Sequence, residues 1–298
     1  MTQLAVVANP AAGHGRGRRL LASVLARFEE AGATVTAHLP VHAEDAARAC
    51  AQAVADGVDG LVVVGGDGTT HLGLNACAGS GVPLGIVPAG TGNDFVRSAG
   101  LPPRWSDAVD AILAGATRPV DLMGVTDAAG AACCVGSVVS TGFDERVARR
   151  ADALPLNLGA PSYAWGVVAE LARFRPQSYR LTTADGVREL DAILVAVANA
   201  GIFGGGIRIA PGFDLDDGLL DVTIVHPVPR RTLLRLFPSL FTGGFVTHPA
   251  IERFRVASIT VDGPDMLASA DGEPLGPVPL ACTARPRAVR IFVPQEDR

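Results

Sequence analysis

Val62-Val63-Val64-Gly65-Gly66-Asp67-Gly68-Thr69-Thr70 is the stretch that decides how this chain is read. A short apolar run over 61–64 predicts a buried strand, which stops at glycines and restarts as a helix over 70–78. Glycines let the backbone approach a ligand and take positive φ, and the first N–H groups of the following helix have no intrahelical partner. A turn of that kind is a site for phosphate. Asp67 is informative, because a carboxylate beside bound phosphates is repulsive unless it holds a metal, a ribose hydroxyl or a proton in transit. The alternative is a tight strand-to-helix turn in which Asp67 caps the helix.

Two more turns of the same kind flank it. Pro83-Leu84-Gly85-Ile86-Val87-Pro88 reads as a second apolar strand, ending in Ala89-Gly90-Thr91-Gly92-Asn93-Asp94 with Asn93 and Asp94 placed to cap the next helix. At the amino terminus, an apolar strand over 4–8 runs into Asn9-Pro10-Ala11-Ala12-Gly13-His14-Gly15-Arg16-Gly17 and an amphipathic helix over 18–31. Strands at 34–39 and 60–64 and helices at 43–55 and 107–113 continue the alternation. This pattern predicts a parallel sheet with right-handed crossovers and a ligand site at the carboxyl ends of its strands. All three motifs fall on that edge.

The pattern changes after residue 118. Segments 119–122, 131–141, 179–183, 189–198, 218–225, 255–261 and 288–293 are strand-like, with helices expected only at 144–151, 162–174 and 230–241. Runs of strands separated by turn signals predict a second, mainly antiparallel β-rich domain, with the boundary inside 116–125.

The order Asn-Pro-x-Ala-Gly-x-Gly, Gly-Gly-Asp-Gly-Thr, Pro-x-Gly-Thr-Gly-Asn-Asp-Phe resembles the diacylglycerol kinase and sphingosine kinase-like lipid kinases, in particular their soluble bacterial branch. Gly-Gly-Asp-Gly alone also occurs in phosphofructokinases and NAD kinases; the Gly-Thr-Gly-Asn-Asp block points to the lipid kinases. The resemblance implies an NAD kinase/diacylglycerol kinase-like α/β nucleotide-binding domain over 1–122, to which 285–298 returns, and a β-rich lipid-substrate domain over 123–284. It implies ATP as phosphate donor, Mg²⁺, and transfer to a lipid hydroxyl, with diacylglycerol converted to phosphatidic acid as first choice. A sphingoid base, phosphatidylglycerol, a soluble alcohol or NAD as acceptor, and a non-catalytic nucleotide or lipid sensor, stay open as alternatives. Nucleotide contacts are expected at Asn9, Pro10, Ala11, Ala12, Gly13, Gly65, Gly66, Asp67, Gly68, Thr69, Thr70 and Thr91. His42 is expected to stand where the bacterial family often has a threonine touching nucleotide. His71 and Leu72 depart from the family pattern, which has Asn and Glu there.

Composition narrows the chemistry. The 298 residues include no lysine, so all 25 basic residues are arginine. A lysine-containing phosphate loop and Schiff-base chemistry are therefore excluded. Phosphate must be handled by backbone amides, arginine and metal. The net charge of −5 argues against a nucleic-acid partner. The five cysteines form no Cys-x-x-Cys pair and read as buried thiols of a cytoplasmic protein. The first residues lack a charged start before an apolar core, so no signal peptide is expected, and no apolar run is long enough to span a bilayer. A lipid substrate would be reached peripherally, from the membrane surface. A homodimer is left open.

The second half carries two acidic turns. Asp214-Leu215-Asp216-Asp217-Gly218-Leu219 offers the oxygen ligands a hard cation takes, or is a solvated acidic turn. The resemblance puts a structural Mg²⁺ on Asp214, Asp217 and Leu219, the last through its carbonyl. Ala270-Asp271-Gly272-Glu273 is either a hairpin turn or a presentation of carboxylates to substrate. The resemblance makes Glu273 the acceptor of the hydroxyl proton, with Asp271 as orienter or metal partner and Asp67 placing metal or the reacting phosphate. The helices at 162–174 and 230–241, with Leu154, Leu156, Leu158, Trp165, Phe237, Phe241 and Phe245, line an acyl groove or belong to the core.

Overall fold

The computed structural model describes residues 2–10, 12–142, 176–271 and 273–295. Ala11 and the segments expected as helices at 144–151 and 162–174, with Arg146, Leu154, Leu156, Leu158 and Trp165, lie outside the described residues, as do the side chains of His14 and Glu273. The chain divides into two compact units, Met1–Leu122 with Pro286–Arg298, and Met123–Arg285.

The first unit alternates β1 (Gln3–Ala8), α1 (Ala12–Glu30), β2 (Thr34–His38), α2 (Ala43–Ala55), β3 (Gly60–Gly65), α3 (Asp67–Cys77), β4 (Leu84–Pro88), α4 (Asp94–Ser98) and α5 (Trp105–Ala114). The strands run parallel in the order β2-β1-β3-β4, with Val6 opposite Val62 and Val62 opposite Gly85. Every residue of β3 and β4 is buried, as expected for parallel strands covered on both faces. Leu4, Val6, Ala8, Val62 and Val64 point to one face, where they pack with Leu21, Val24 and Phe28 of α1 and Val109 and Ile112 of α5. Their alternate neighbours fall to the face covered by α2 and α3. A side chain at Gly73 of α3 would come within 2.9 Å of Val63 and 2.8 Å of Leu84, so the glycine sets how closely α3 lies on the sheet.

Two helix starts differ from the sequence expectation. Helix α3 begins at Asp67 rather than at 70, because extended Gly66 already serves as its N-cap. Helix α1 begins at Ala12 rather than 18, but Gly13 and Gly15 have φ of +57° and +84°. Its first turns are a glycine loop, and regular geometry follows them.

The second unit is a β-sandwich. After β5 (Thr117–Thr126), which crosses into it, come β6 (Ala132–Val135), β7 (Val138–Gly142), β8 (Gln177–Thr183), β9 (Gly186–Ala192), β10 (Leu194–Ala198), β11 (Ile202–Phe203), β12 (Ile207–Arg208) and β13 (Leu220–Val225). Helix α6 (Arg230–Leu240), β14 (Ile251–Val256), β15 (Ser258–Asp262), β16 (Leu267–Ala270), β17 (Glu273–Pro277) and β18 (Leu280–Phe292) complete the order. One sheet runs β14-β13-β10-β7-β16-β17, all antiparallel. Facing it, β15 pairs antiparallel with β8 and with the first part of β18, and β8 with β9. Val195, Val197, Val222 and Ile224 from the first sheet meet Tyr179, Leu181, Ile259 and Val261 from the second in one core. Leu194, Ala196 and Ala198 point the other way into a second cluster with Phe203, Ile209 and Phe245. Phe245 is core, whereas Phe241 is 41% exposed.

Three segments expected as single strands are each two strands. The run 189–198 changes sheet at Ile193, and 255–261 changes sheet at Ala257, so each feeds both layers of the sandwich. The run 131–141 changes sheet as well, at Gly136 and Ser137, where contacts described below hold the loop. The carboxyl-terminal strand ends in the first unit, where Ile291 pairs parallel with Leu84 and Phe292 joins the core.

Candidate active site

The three phosphate-type turns follow β1, β3 and β4, so the parallel order brings them to one edge of the sheet. Backbone contacts stitch them together. The Asn9 N–H donates to Val64 O at 3.0 Å, and the N–H groups of Ala89 and Gly90 both donate to Gly65 O, at 2.8 and 3.2 Å. A side chain at Gly13 would run into the Ala89 carbonyl. At Gly90 a Cβ would sit 2.5 Å from the Cα of Gly66. Only glycine allows the second and third turns to lie backbone on backbone.

Asp67 completes the connection. One carboxylate oxygen accepts the Asp94 N–H at 2.7 Å, and its other oxygen lies 2.6 Å from where a Cβ of Gly92 would be. Asp67 is the first residue in the opening turn of α3, and the N-cap before it is Gly66, which has no side chain to cap with. The half-buried N–H groups of that turn face an edge built of glycine, the arrangement that takes an anion. Thr70 is buried, and its hydroxyl donates to Gly66 O at 3.0 Å, while Thr69 is buried under Gly65.

Asn93 occupies the N-cap of α4 in the left-handed conformation but makes no capping bond, contrary to the sequence expectation. Its amide instead donates to Gly90 O at 3.0 Å, and its Oδ1 is buried with no partner among the described residues. That acceptor suits a ligand hydroxyl or a metal-bound water. Asp94 is buried, with Arg97 3.9 Å from its carboxylate. Asn9, Pro10, Ala12, Gly13, Gly65, Gly66, Gly68 and exposed Thr91 all lie on these turns. His42 is exposed at the N-cap of α2, just past β2 on the same sheet edge, and its side chain makes no capping bond. His71 and Leu72 are half-buried on α3.

In the second unit, Asp271 has φ of 51° and turns its carboxylate onto a row of backbone amides. It accepts from Gly136 N–H at 3.1 Å, Ser137 N–H at 2.9 Å and Val138 N–H at 3.4 Å. These contacts hold the loop in which the chain passes from β6 in one sheet to β7 in the other. Asn199 holds the same loop from the other side: its amide donates to Gly136 O at 2.9 Å and its N–H to Ser137 O at 2.8 Å. Asp271 thus holds the 136–138 loop, and it stands two residues before Glu273, the first residue of β17.

The acidic loop is held by arginine. Asp214 accepts the Asp216 N–H at 3.2 Å, and Asp217 accepts the Leu219 N–H at 2.9 Å. The other Asp217 oxygen pairs with Arg255 at 3.2 Å, and Arg255 also reaches Asp221 at 3.3 Å and donates to Gly212 O at 2.7 Å. Among the described residues no group of three or more His, Cys, Asp and Glu is arranged to hold a metal. Two carboxylates and the Leu219 carbonyl are still hard oxygen donors of the type Mg²⁺ takes, with Asp217 shared with Arg255. Neither Arg255 nor the 136–138 loop carries a local sequence signal, because each acts through residues at least 34 positions away.

The profile of the diacylglycerol kinase catalytic domain matches residues 3–125, and that of the YegS C-terminal NAD kinase beta sandwich-like domain matches residues 137–293. A protein named diacylglycerol kinase from Mycobacterium tuberculosis is 36% identical over 296 residues, covering 98% of this chain and 96% of its own. The chain belongs to the diacylglycerol kinase family of lipid kinases. Another member of this family, named "Probable lipid kinase YegS-like" in Stenotrophomonas maltophilia, is 30% identical over 297 residues, covering 95% of this chain and 90% of its own. A crystal structure of a diacylglycerol kinase from Bacillus anthracis shares the fold, with a TM-score of 0.71 at 21% identity over 98% of this chain and 96% of that one. This lipid kinase is a phosphotransferase, and none of its described helices is long and apolar enough to cross a membrane.

Proposed function

We propose that this lipid kinase transfers the γ-phosphoryl group of ATP to the hydroxyl of diacylglycerol, reached peripherally from a membrane surface. The observation that supports it most is the bond from the Asp94 N–H to Asp67, which ties the glycine turn that opens α3 to the Gly90–Asp94 turn. Bound ATP with Mg²⁺ supplies the phosphoryl group and neutralises part of its charge. The chain's own work is to hold and orient. Backbone N–H groups of Gly66, Gly68 and Thr69, with the Asn9 to Gly13 turn and Thr91, cradle phosphate oxygens where a lysine is absent, and Thr70, whose N–H is given to Gly66 O, closes the turn. Asn93 Oδ1 accepts from a nucleotide hydroxyl or a metal-bound water, and His42 flanks the nucleotide.

Glu273 receives the proton as the acceptor hydroxyl attacks phosphorus, and Asp271 positions the turn from which it acts. Asp214, Asp217 and the Leu219 carbonyl hold a structural Mg²⁺ that stiffens the 214–219 loop. The name of the Mycobacterium tuberculosis relative supports diacylglycerol as acceptor. The test is transfer of label from γ-labelled ATP to mixed micelles containing diacylglycerol, a sphingoid base or phosphatidylglycerol, with NAD in parallel. Label on diacylglycerol alone supports the reading. Label on another acceptor replaces the substrate, and label on none, with ATP bound, favours a sensor.

A further inference from the structure

Helix α6 is the one described helix with no buried residue. Residues 227–251 around it contain no Asp or Glu, yet they carry Arg230, Arg231 and Arg235 in a chain of net charge −5. All three arginines are exposed, and among the described residues none is in an ion pair. The helix rests on the sandwich through Leu233 and Leu240. Leu234, Phe237 and Phe241 recur at spacings of three and four, so they share a flank of the helix that starts beside that contact at half-buried Phe237 and turns outward to Phe241 and Leu234. The rings of Phe237 and Phe241 meet edge to face at 5.8 Å, while Leu234 and Phe241 stay 49% and 41% exposed. Arg231 and Arg235 follow on the next part of the same outward surface.

An outward apolar stripe beside unpaired cations on a helix lying flat on its domain is the design of an interfacial element. We propose that α6 docks this protein on an anionic lipid surface, with Leu234, Phe237 and Phe241 entering the headgroup boundary and Arg230, Arg231 and Arg235 against the headgroup phosphates. Charge complementarity selects that occupant. A second copy seated on the same face would bring arginine against arginine across a two-fold axis. Nucleic acid would leave the Leu-Phe stripe in water. The proposal deepens the lipid-kinase reading by naming how the acceptor's surface is reached, but it is testable without acceptor or ATP.

The experiment is sedimentation of the full chain with vesicles of phosphatidylcholine, alone or mixed with phosphatidylglycerol. Wild type is compared with Arg231→Glu/Arg235→Glu and with Leu234→Ser/Phe241→Ser, each checked for an unchanged circular dichroism spectrum. The expected result is binding only to the phosphatidylglycerol mixture, weakened by salt. Partitioning falls at least about tenfold in the charge-reversed variant, and it also falls in the apolar variant. Wild type indifferent to phosphatidylglycerol, or both variants binding as wild type does, overturns the proposal. So does a dimer that these substitutions dissociate without any vesicle binding. Vesicle binding with no phosphate transfer would strike the kinase reading alone; transfer to micelles without vesicle binding would strike this proposal alone.

Discussion

Asp67 and Asp94 are 27 residues apart in sequence, yet a carboxylate oxygen of the first accepts the backbone N–H of the second at 2.7 Å. This bond joins the turn after β3 to the turn after β4, at the first residue of α3. A residue whose chemistry looks catalytic thereby acts first as a positioning group. Asp67→Ala should lose about 1–3 kcal/mol of stability in urea titration, because it orphans a half-buried donor. It should also raise the KM for ATP. Asp67→Asn keeps an acceptor oxygen and should recover most of the stability. Equal losses in the two variants would show that the bond contributes little.

Gly90 tests how closely the turns approach. A Cβ there would sit 2.5 Å from Gly66 Cα, and backbone on both sides has little room to yield. Gly90→Ala should cost about 1–3 kcal/mol of stability and weaken ATP binding at the same time. Calorimetric titration with ATP showing wild-type affinity would mean that the turns are looser than described.

Asp271→Ala removes the acceptor for three consecutive amides at 136–138. We expect a loss of about 2–4 kcal/mol, with Asp271→Asn intermediate, since an amide oxygen still accepts but without charge. Denaturant unfolding of the two variants checks the order.

The sequence shows the first unit more clearly than the second, for physical reasons. Parallel strands such as β3 are continuous apolar runs stopped by glycine, so their ends and the turns beyond them are local signals. In the sandwich, 189–198 and 255–261 contain no glycine or proline where the backbone moves from one sheet to the other at Ile193 and Ala257. A change of sheet of this kind carries no turn residue to mark it. The break at Gly136 depends on Asp271, 135 residues later, and the closure of the acidic loop on Arg255. Long-range partners of this kind leave no mark on either segment alone. The turn residues of the site were visible as types and spacings, but the role of Asp67 as a tie between turns and the orphaned Asn93 acceptor emerge only from geometry.

Glu252 sets a pH dependence. Arg188 donates to both its oxygens, at 2.7 and 3.1 Å, with His226 at 2.9 Å, and the Arg188 hydrogen bonds hold its carboxyl below the ordinary value. With the folded pKa depressed, the contribution is complete above the unfolded value and is lost as pH falls through the folded one. Wild type should therefore lose more Tm than Glu252→Gln on going from neutral pH to about pH 4. Parallel Tm curves for the two would remove Glu252 from the account.

The acidic loop separates metal from arginine. If Mg²⁺ binds at Asp214, Asp217 and the Leu219 carbonyl, added Mg²⁺ should raise Tm in wild type but not in Asp217→Asn. A Tm unmoved by Mg²⁺ or by chelator would mean that Arg255 alone closes this loop.

The central claim is that a carboxylate at position 273 accepts a lipid hydroxyl proton during phosphoryl transfer from ATP. The direct measurement is the single-turnover rate of label transfer from γ-labelled ATP to diacylglycerol micelles, at saturating ATP and Mg²⁺, for wild type and Glu273→Gln. The account predicts transfer by wild type and a rate lower by roughly 10²–10⁴-fold in the variant, with ATP affinity unchanged. A variant that transfers phosphate as fast as wild type would contradict it.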